Sequence, residues 1–251
     1  LREAPPLVAF TTIALGGFRG ILADLLWMRI ATLQEAGRYV EIAQLSDWIT
    51  KLEPTFSDVW GYHAWNMAYN ISAWFEAPAD RWRWVEQGVR LLREDGLRYN
   101  PRDPRLYWEL GWIYHHKIGG STDPASGYYR ARLFDAMAAI LPDGRGGSPV
   151  EAGSLQTRFG LEPARMAELD RTVGPLDWRL PESHALYWAW CGRRQAGSPP
   201  DLMLERLFYQ SMMMTALRGG FLDETLQGSA VRRIRTDLFP AALAVLDEAR
   251  R

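Results

Sequence analysis

Four histidines, His63, His115, His116 and His184, carry the side chains best suited to binding a metal ion or transferring protons. A zinc site on one helix needs two histidines about one turn apart, and neither an HExxH motif nor a His-x3-His pair occurs. His115 and His116 are adjacent, so on a helix their side chains diverge by about 100°. The sequence therefore predicts no catalytic residue, no metal site and no cofactor.

The densest cluster of candidate binding residues lies in segment 60–74, WGYHAWNMAYNISAW. If this segment is helical, His63, Asn66 and Asn70 stand at i, i+3 and i+7 and share one face. That face could line a groove; alternatively, its polar groups satisfy backbone atoms between packed helices. Tryptophans of the DRWRW segment could add a stacking platform for sugars or peptides, or belong to the core. The candidate interaction face comprises Trp60, His63, Asn66, Asn70, Trp82, Trp84, Tyr107 and Tyr114.

The overall composition is typical of a folded protein and argues against nucleic-acid binding. The chain has 251 residues, of which 47% are hydrophobic and 24% charged, close to the averages for soluble domains. Its 29 basic and 30 acidic residues are spread along the sequence and give a net charge of −1, so no basic patch is indicated. Cys191 is the only cysteine, which excludes an intrachain disulfide.

Apolar periodicity interrupted by proline and glycine predicts an all-α chain. In the first predicted helix, 21–35, Leu22, Leu25, Leu26, Ile30 and Leu33 are expected on one buried stripe. In the second predicted helix, 39–52, Trp48 is expected on the buried face. Further helices are predicted over 57–71, 80–99, 106–117, 124–140, 163–173, 184–194, 200–217 and 231–249.

Two segments are expected to lie outside the helical hairpins. Residues 1–20 form an N-terminal segment whose apolar run, 7–18, is too short to span a membrane. Residues 143–160 are rich in glycine and are expected to form a long loop or insertion. The hairpins are therefore predicted over 21–142 and 161–251. Alternating β-branched runs are almost absent, so strands are not expected.

One local pattern occurs three times: a proline followed six residues later by an aromatic residue. In the second copy, the sequence continues as aromatic-x2-Leu-Gly-x2-Tyr, which resembles the first helix of a tetratricopeptide repeat. That resemblance implies an irregular α-solenoid of stacked helical hairpins. The three proline–aromatic pairs are Pro54 and Trp60, Pro101 and Tyr107, and Pro181 and Tyr187, and the repeat pattern is Tyr107, Leu110, Gly111 and Tyr114.

Longer segments resemble an uncharacterised bacterial family of membrane-anchored proteins with tetratricopeptide-like repeats. The resemblance covers most of the chain and implies a membrane anchor just upstream of the segment 4–20. It implies no chemistry, because the family has no established activity. The segments are ALGGFRGILADLLWMR, LSDWITKLEPTFSDVWGYHAWNMAYNIS, RWRWVEQGVRLLR, HHKIGG and GPLDWRLPESHALYWAW.

These features predict a non-enzymatic protein–protein interaction scaffold or accessory subunit of a bacterial membrane-associated complex. Its partner would be another protein, at the outer face of the inner membrane. Two alternatives remain open. One is an all-α hydrolase or lyase that uses the His63, Asn66 and Asn70 face, with His115 nearby. The other is a glycan-binding module, which requires two or more coplanar Trp rings that face solvent.

Overall fold

The computed structural model describes residues 18–146, 152–197, 199–222, 232–233 and 240. Within these ranges most residues are helical, which confirms the predicted all-α class. It divides into two compact units, one ending at Pro101 and the other beginning at Arg102. The predicted features in 1–17, the segment 147–151 and the helix over 231–249 lie outside the described residues, apart from three isolated positions.

The described residues of the first unit form four helices, and the last two change their winding before they end. α3 continues as a π-helical segment, Asn66–Ile71, and a 3-10 turn, Ser72–Trp74. α4 continues as a π-helical segment, Leu91–Gly96, and a closing turn, Leu97–Tyr99. The four helices are α1 (Phe18–Glu35), α2 (Tyr39–Leu52), α3 (Ser57–Trp65) and α4 (Pro78–Arg90).

The core of the first unit forms where α1, α2 and α3 meet. Its apolar centre excludes water almost completely and is flanked by half-buried aromatic rings, so burial of apolar area stabilises the hairpin. Pro54 lies just after α2 and also anchors α3 and the end of α4, because its carbonyl oxygen accepts bonds from Trp60 Nε1 and Asn100 Nδ2, both at 2.9 Å. The central cluster is Ala23, Ile30, Leu33, Ile42, Ile49 and Val59.

At Gly88, α4 lies close to the backbone of α3, and this glycine provides a test of the packing. A Cβ at Gly88 would lie 2.8 Å from the carbonyl oxygen of Ala64, and backbone cannot move aside easily. We expect Gly88→Ala to destabilise the protein by about 1–3 kcal/mol, measured by urea denaturation. Gly127→Ala is the matched control, because nothing lies within 4 Å of its added Cβ. Equal effects of the two substitutions would contradict this packing.

The second unit contains six helices and one minimal antiparallel strand pair among its described residues. α5 ends in a π-helical segment, Ile113–Ile118. Phe221 pairs with Arg233, and Leu222 with Arg232. The elements are α5 (Pro104–Trp112), α6 (Ser126–Ala138), α7 (Ala152–Phe159), α8 (Pro163–Val173), α9 (Pro181–Arg193), α10 (Leu202–Leu217), β1 (Phe221–Leu222) and β2 (Arg232–Arg233).

Helix α9 is the centre of the second unit. Every residue from Pro181 to Gly192 is buried, and the helix packs mainly against α5 and α10. Glycines permit the close contacts: a Cβ at Gly111 would meet the side chain of Leu207 at 2.9 Å, and one at Gly192 would meet Tyr107 at 2.7 Å. Gly111 and Gly192 therefore allow α5, α9 and α10 to lie close together.

The helices that contain the aromatic residues of the first two proline–aromatic pairs, α3 and α5, both continue as π-helical segments. The π-helical segment of α3 begins at Asn66, six residues after Trp60, and that of α5 begins at Ile113, six residues after Tyr107. Both aromatic residues are buried. These two helices thus share a local design that extends beyond the residues recognisable in the sequence.

Three expectations from the sequence were wrong. Leu22 and Leu25 are exposed, because α1 packs on its neighbours through Ala23, Ile30 and Leu33. Trp48 is also exposed. The predicted loop 143–160 contains helix α7, whose Leu155 and Phe159 are buried; glycine and polar residues around this pair obscured the helical period.

Candidate functional site

His63 lies in the interior of the first unit. It is only 2% exposed, and neither imidazole nitrogen has a hydrogen-bond partner among the described residues. Burial lowers the pKa of His63 to about 4, an effect that Asp47 opposes weakly. The imidazole is therefore neutral near pH 7 and costs the fold two unpaired polar atoms.

Asn66 and Asn70 form a short hydrogen-bonded chain. Asn66 Nδ2 donates to the carbonyl oxygen of Tyr39 at 3.1 Å, and Asn70 Nδ2 donates to Asn66 Oδ1 at 2.9 Å. Asn66 is completely buried. These bonds tie the π-helical end of α3 to the start of α2, so the contacts give both amides a structural role.

The five remaining aromatic residues of the candidate face divide between interior and surface. Trp60 stacks on Tyr99 at 5.9 Å, and Tyr114 stacks on His184 at 4.8 Å. Both belong to the core, as does Tyr107. The half-buried side chains are Trp82 and Trp84, and Trp84 stacks on Phe75.

Half-buried aromatic rows lie on the two helices with the shared design. On α3, Trp65 stacks on Tyr69 with ring centroids 5.8 Å apart. On α5, Trp112 stacks on Trp108 at 5.6 Å and on His116 at 4.8 Å, with interplanar angles of 11° and 10°. We call Trp108, Trp112 and His116 the α5 ladder. Aromatic residues at i and i+4 are the sequence signal that could have identified it.

The α5 ladder bears directly on glycan binding. Sugar-binding platforms present open ring faces to the ligand, whereas Trp112 stacks on three neighbouring rings, those of Trp108, His115 and His116. The arrangement therefore differs from the coplanar, solvent-facing rings that a glycan-binding module requires.

Glu109 is a half-buried acidic residue on α5, the helix that carries the ladder. Its backbone carbonyl oxygen accepts a hydrogen bond from the Ile113 amide within the helix. Burial raises the pKa of Glu109 to about 7, and the charge of Arg105, one turn earlier, opposes this rise. No sequence motif singles out this residue, because its burial depends on tertiary packing.

The histidines of the second unit make separate contacts. His115 Nδ1 lies 3.1 Å from the hydroxyl of Ser211, and His184 Nε2 lies 3.0 Å from the carbonyl oxygen of Trp178. Ser211 is completely buried, so this Ser–His pair has no open approach for a substrate. Burial lowers the pKa of His115 to about 4. These contacts support structural roles for both histidines.

A cavity of about 360 Å³ opens beside β1 in the second unit. Its wall includes Arg145 and Arg171, and its apolar part includes Leu176 and Leu222. The carboxylate of Asp170, which also lines the cavity, accepts bonds from Trp178 Nε1 and the Leu176 amide. The positive charges of Arg145 and Arg171 are thus partly balanced by the Asp170 carboxylate, which these hydrogen bonds hold in place.

The most unusual surface lies on α1, where large apolar side chains recur at i, i+3, i+4, i+7 and i+10. Two of these side chains, Leu22 and Leu25, were predicted from the sequence to lie in the core. We call it the α1 stripe: Phe18, Ile21, Leu22, Leu25 and Met28, which are 74, 58, 38, 53 and 60% exposed.

Neither membrane-spanning nor metal-binding features appear among the described residues. No helix in these ranges combines the length and apolar composition needed to cross a membrane. No group of three or more His, Cys, Asp or Glu side chains is placed there to hold a metal ion. Comparison with protein-family models, curated proteins and solved structures gives no significant match to this chain.

Proposed function

We propose that this chain is a non-enzymatic protein-interaction scaffold, an accessory subunit of a membrane-associated complex. Its helical hairpins would stack as an irregular solenoid and hold another protein. The α1 stripe is the observation that carries this proposal. The resemblance to bacterial tetratricopeptide-like proteins is what supports the membrane association.

The α1 stripe supports the binding of a protein partner because its side chains are large, apolar and exposed to solvent. Large contiguous apolar patches are uncommon on soluble monomers and mark interaction surfaces. The opposite face of α1 already packs in the core through Ala23, Ile30 and Leu33, so the helix is apolar on two sides. Burying five half-exposed side chains would contribute on the order of 5 kcal/mol to binding.

The spacing of the α1 stripe favours a helical partner. Side chains at i, i+3, i+4 and i+7 form the ridge that packs into a groove on another helix. Asp24 and Arg29 are the exposed charges beside this ridge. An amphipathic helix of the partner protein, with its apolar face on Leu25, fits this surface.

A charge substitution in the stripe tests the proposal. We expect Leu25→Glu with Met28→Glu to reduce partner capture from detergent-solubilised native membranes by more than about tenfold, because both carboxylates would need desolvation. Quantitative mass spectrometry after pull-down measures the loss. Circular dichroism verifies that the variant is folded.

The matched control is Leu202→Glu with Met203→Glu at the start of α10. These side chains are 52 and 51% exposed, close to the values of the stripe residues. The control should retain the same stoichiometric partner as the wild type. Equal capture by the stripe variant, or equal loss in the control, would refute a binding role for the stripe.

A further inference from the structure

The exposed side chains of α1 follow the seven-residue repeat of a two-stranded coiled coil. In such a repeat, written a to g, the side chains at a and d form the contact between the two helices. Phe18 and Leu25 stand at a, and Ile21 and Met28 stand at d. All four residues are more than half exposed. The α1 stripe therefore contains the apolar seam of two consecutive repeats, with Leu22 at the neighbouring e position.

The core of the first unit lies on the opposite side of α1. Ala23 and Ile30 stand at f, which points away from the a–d seam, and each is only 2% exposed. Contacts with the core already hold α1 in its helical form, so pairing with another helix does not require helix nucleation. Less conformational freedom is then lost on binding, which favours association. The seam is thus a preformed docking surface for one further helix.

Two charges beside the seam indicate which helix it takes. Asp24 stands at g and Arg29 at e of the following repeat, and both are exposed. Neither side chain has an ion pair within the described part of the chain. In a parallel pair of helices, g of one chain faces e of the next repeat in the other chain. Two copies of α1 would therefore form two identical Asp24–Arg29 ion pairs between the chains.

Only a parallel arrangement of two copies matches these charges. In an antiparallel pair, g faces g and e faces e, so acid would meet acid and base would meet base. In a parallel pair, each a or d residue also meets the same residue of the second copy, so the seam is complementary to itself. The charges and the apolar seam therefore favour the same occupant.

We propose that two copies of this chain pair in parallel through their α1 stripes when the partner protein is absent. This inference rests on the proposed function, because it takes the stripe as the surface that the partner's helix covers, and it adds the regulation of that surface. The second copy shields the apolar side chains from water, and the partner's helix binds by replacing it. Self-association and partner binding thus exclude each other.

Sedimentation equilibrium of the purified full chain measures the association. We expect a monomer–dimer equilibrium with a Kd below about 100 µM, because a small apolar interface between preorganised helices binds weakly but measurably. Leu25→Glu with Met28→Glu should be monomeric, since its dimer would bury the introduced carboxylates. Leu202→Glu with Met203→Glu, the control for the capture experiment, should dimerise like the wild type. Circular dichroism verifies that each variant is folded.

Charge reversal tests the parallel register. Asp24→Arg leaves only bases at the two flanking positions, and Arg29→Asp leaves only acids, so each variant alone should dimerise at least about tenfold more weakly. An equimolar mixture of the two variants should dimerise again, because each chain supplies the charge that the other lacks. Glu86→Arg reverses an exposed charge on α4 and should leave the Kd unchanged.

The outcomes separate this inference from the scaffold proposal. A wild-type chain that stays monomeric would overturn the dimer and leave partner capture from membranes unaffected. A mixture of Asp24→Arg and Arg29→Asp that associates no better than either variant alone would overturn the parallel pairing in the same way. Dimers that re-form only in the mixture would support the inference, whether or not a partner is captured.

Discussion

Asp123→Asn is expected to destabilise the protein by about 3–5 kcal/mol, because it removes the charge that balances buried Lys117. Lys117 Nζ and Asp123 Oδ2 lie 2.5 Å apart, and the two side chains are 5 and 6% exposed. Asp123 also accepts bonds from the Ala125 amide and the Tyr129 hydroxyl, which Asn can still accept. The loss would be a large share of the roughly 5–15 kcal/mol that stabilises a typical domain.

A double-mutant cycle, measured by urea denaturation, separates the effect of the unbalanced Lys117 charge from the effect of the changed side-chain shape. Lys117→Met in the Asp123→Asn background removes the unbalanced ammonium group and should restore much of the lost stability. A loss below about 1 kcal/mol in Asp123→Asn would contradict a buried ion pair at this position. A double variant no more stable than Asp123→Asn would also contradict it.

Acidification from pH 6.5 to pH 4 is expected to remove up to about 3 kcal/mol of stability through His63. The folded-state pKa of His63 is about 4, below the unfolded value of 6.5. Between these values the unfolded chain binds the proton and the folded chain does not, so stability falls as the pH falls. Below pH 4 both states are protonated and this contribution stays constant.

The substitution His63→Leu isolates the contribution of this imidazole to the acid-induced loss of stability. The leucine fills a similar space without unpaired nitrogens, so we expect stability at pH 7 to be unchanged or higher. Urea denaturation at pH 7, 5.5 and 4.5 should show a smaller acid-induced loss in the variant. An NMR titration that gave a pKa near 6.5 for His63 would show that this side chain is hydrated.

The helices could be predicted from sequence because their ends are chemically marked. Proline and glycine ended the predicted segments, and the helix α8 was placed correctly at Pro163–Val173. The face that each helix buries was harder to predict. On α1, Leu22 and Ile30 carry similar side chains, and only tertiary packing decides which of them is covered.

The candidate site was harder to predict than the fold. Residue type suggested His63 and Asn66 as binding groups, but the same polarity also suits a buried hydrogen-bonded amide or a neutral histidine. Glu109 has no distinguishing motif, since its burial comes from the assembled unit. The aromatic ladder was visible in principle, because Trp108 and Trp112 are one helical turn apart.

Site-specific photo-crosslinking tests the scaffold proposal most directly. A benzophenone amino acid would replace Leu25 in the α1 stripe or, as a control, the equally exposed Leu202. Irradiation in living cells should give one discrete protein adduct from position 25 and none of that mass from position 202. The absence of a protein adduct at position 25, or the same adduct from both positions, would contradict a protein-binding role for the stripe.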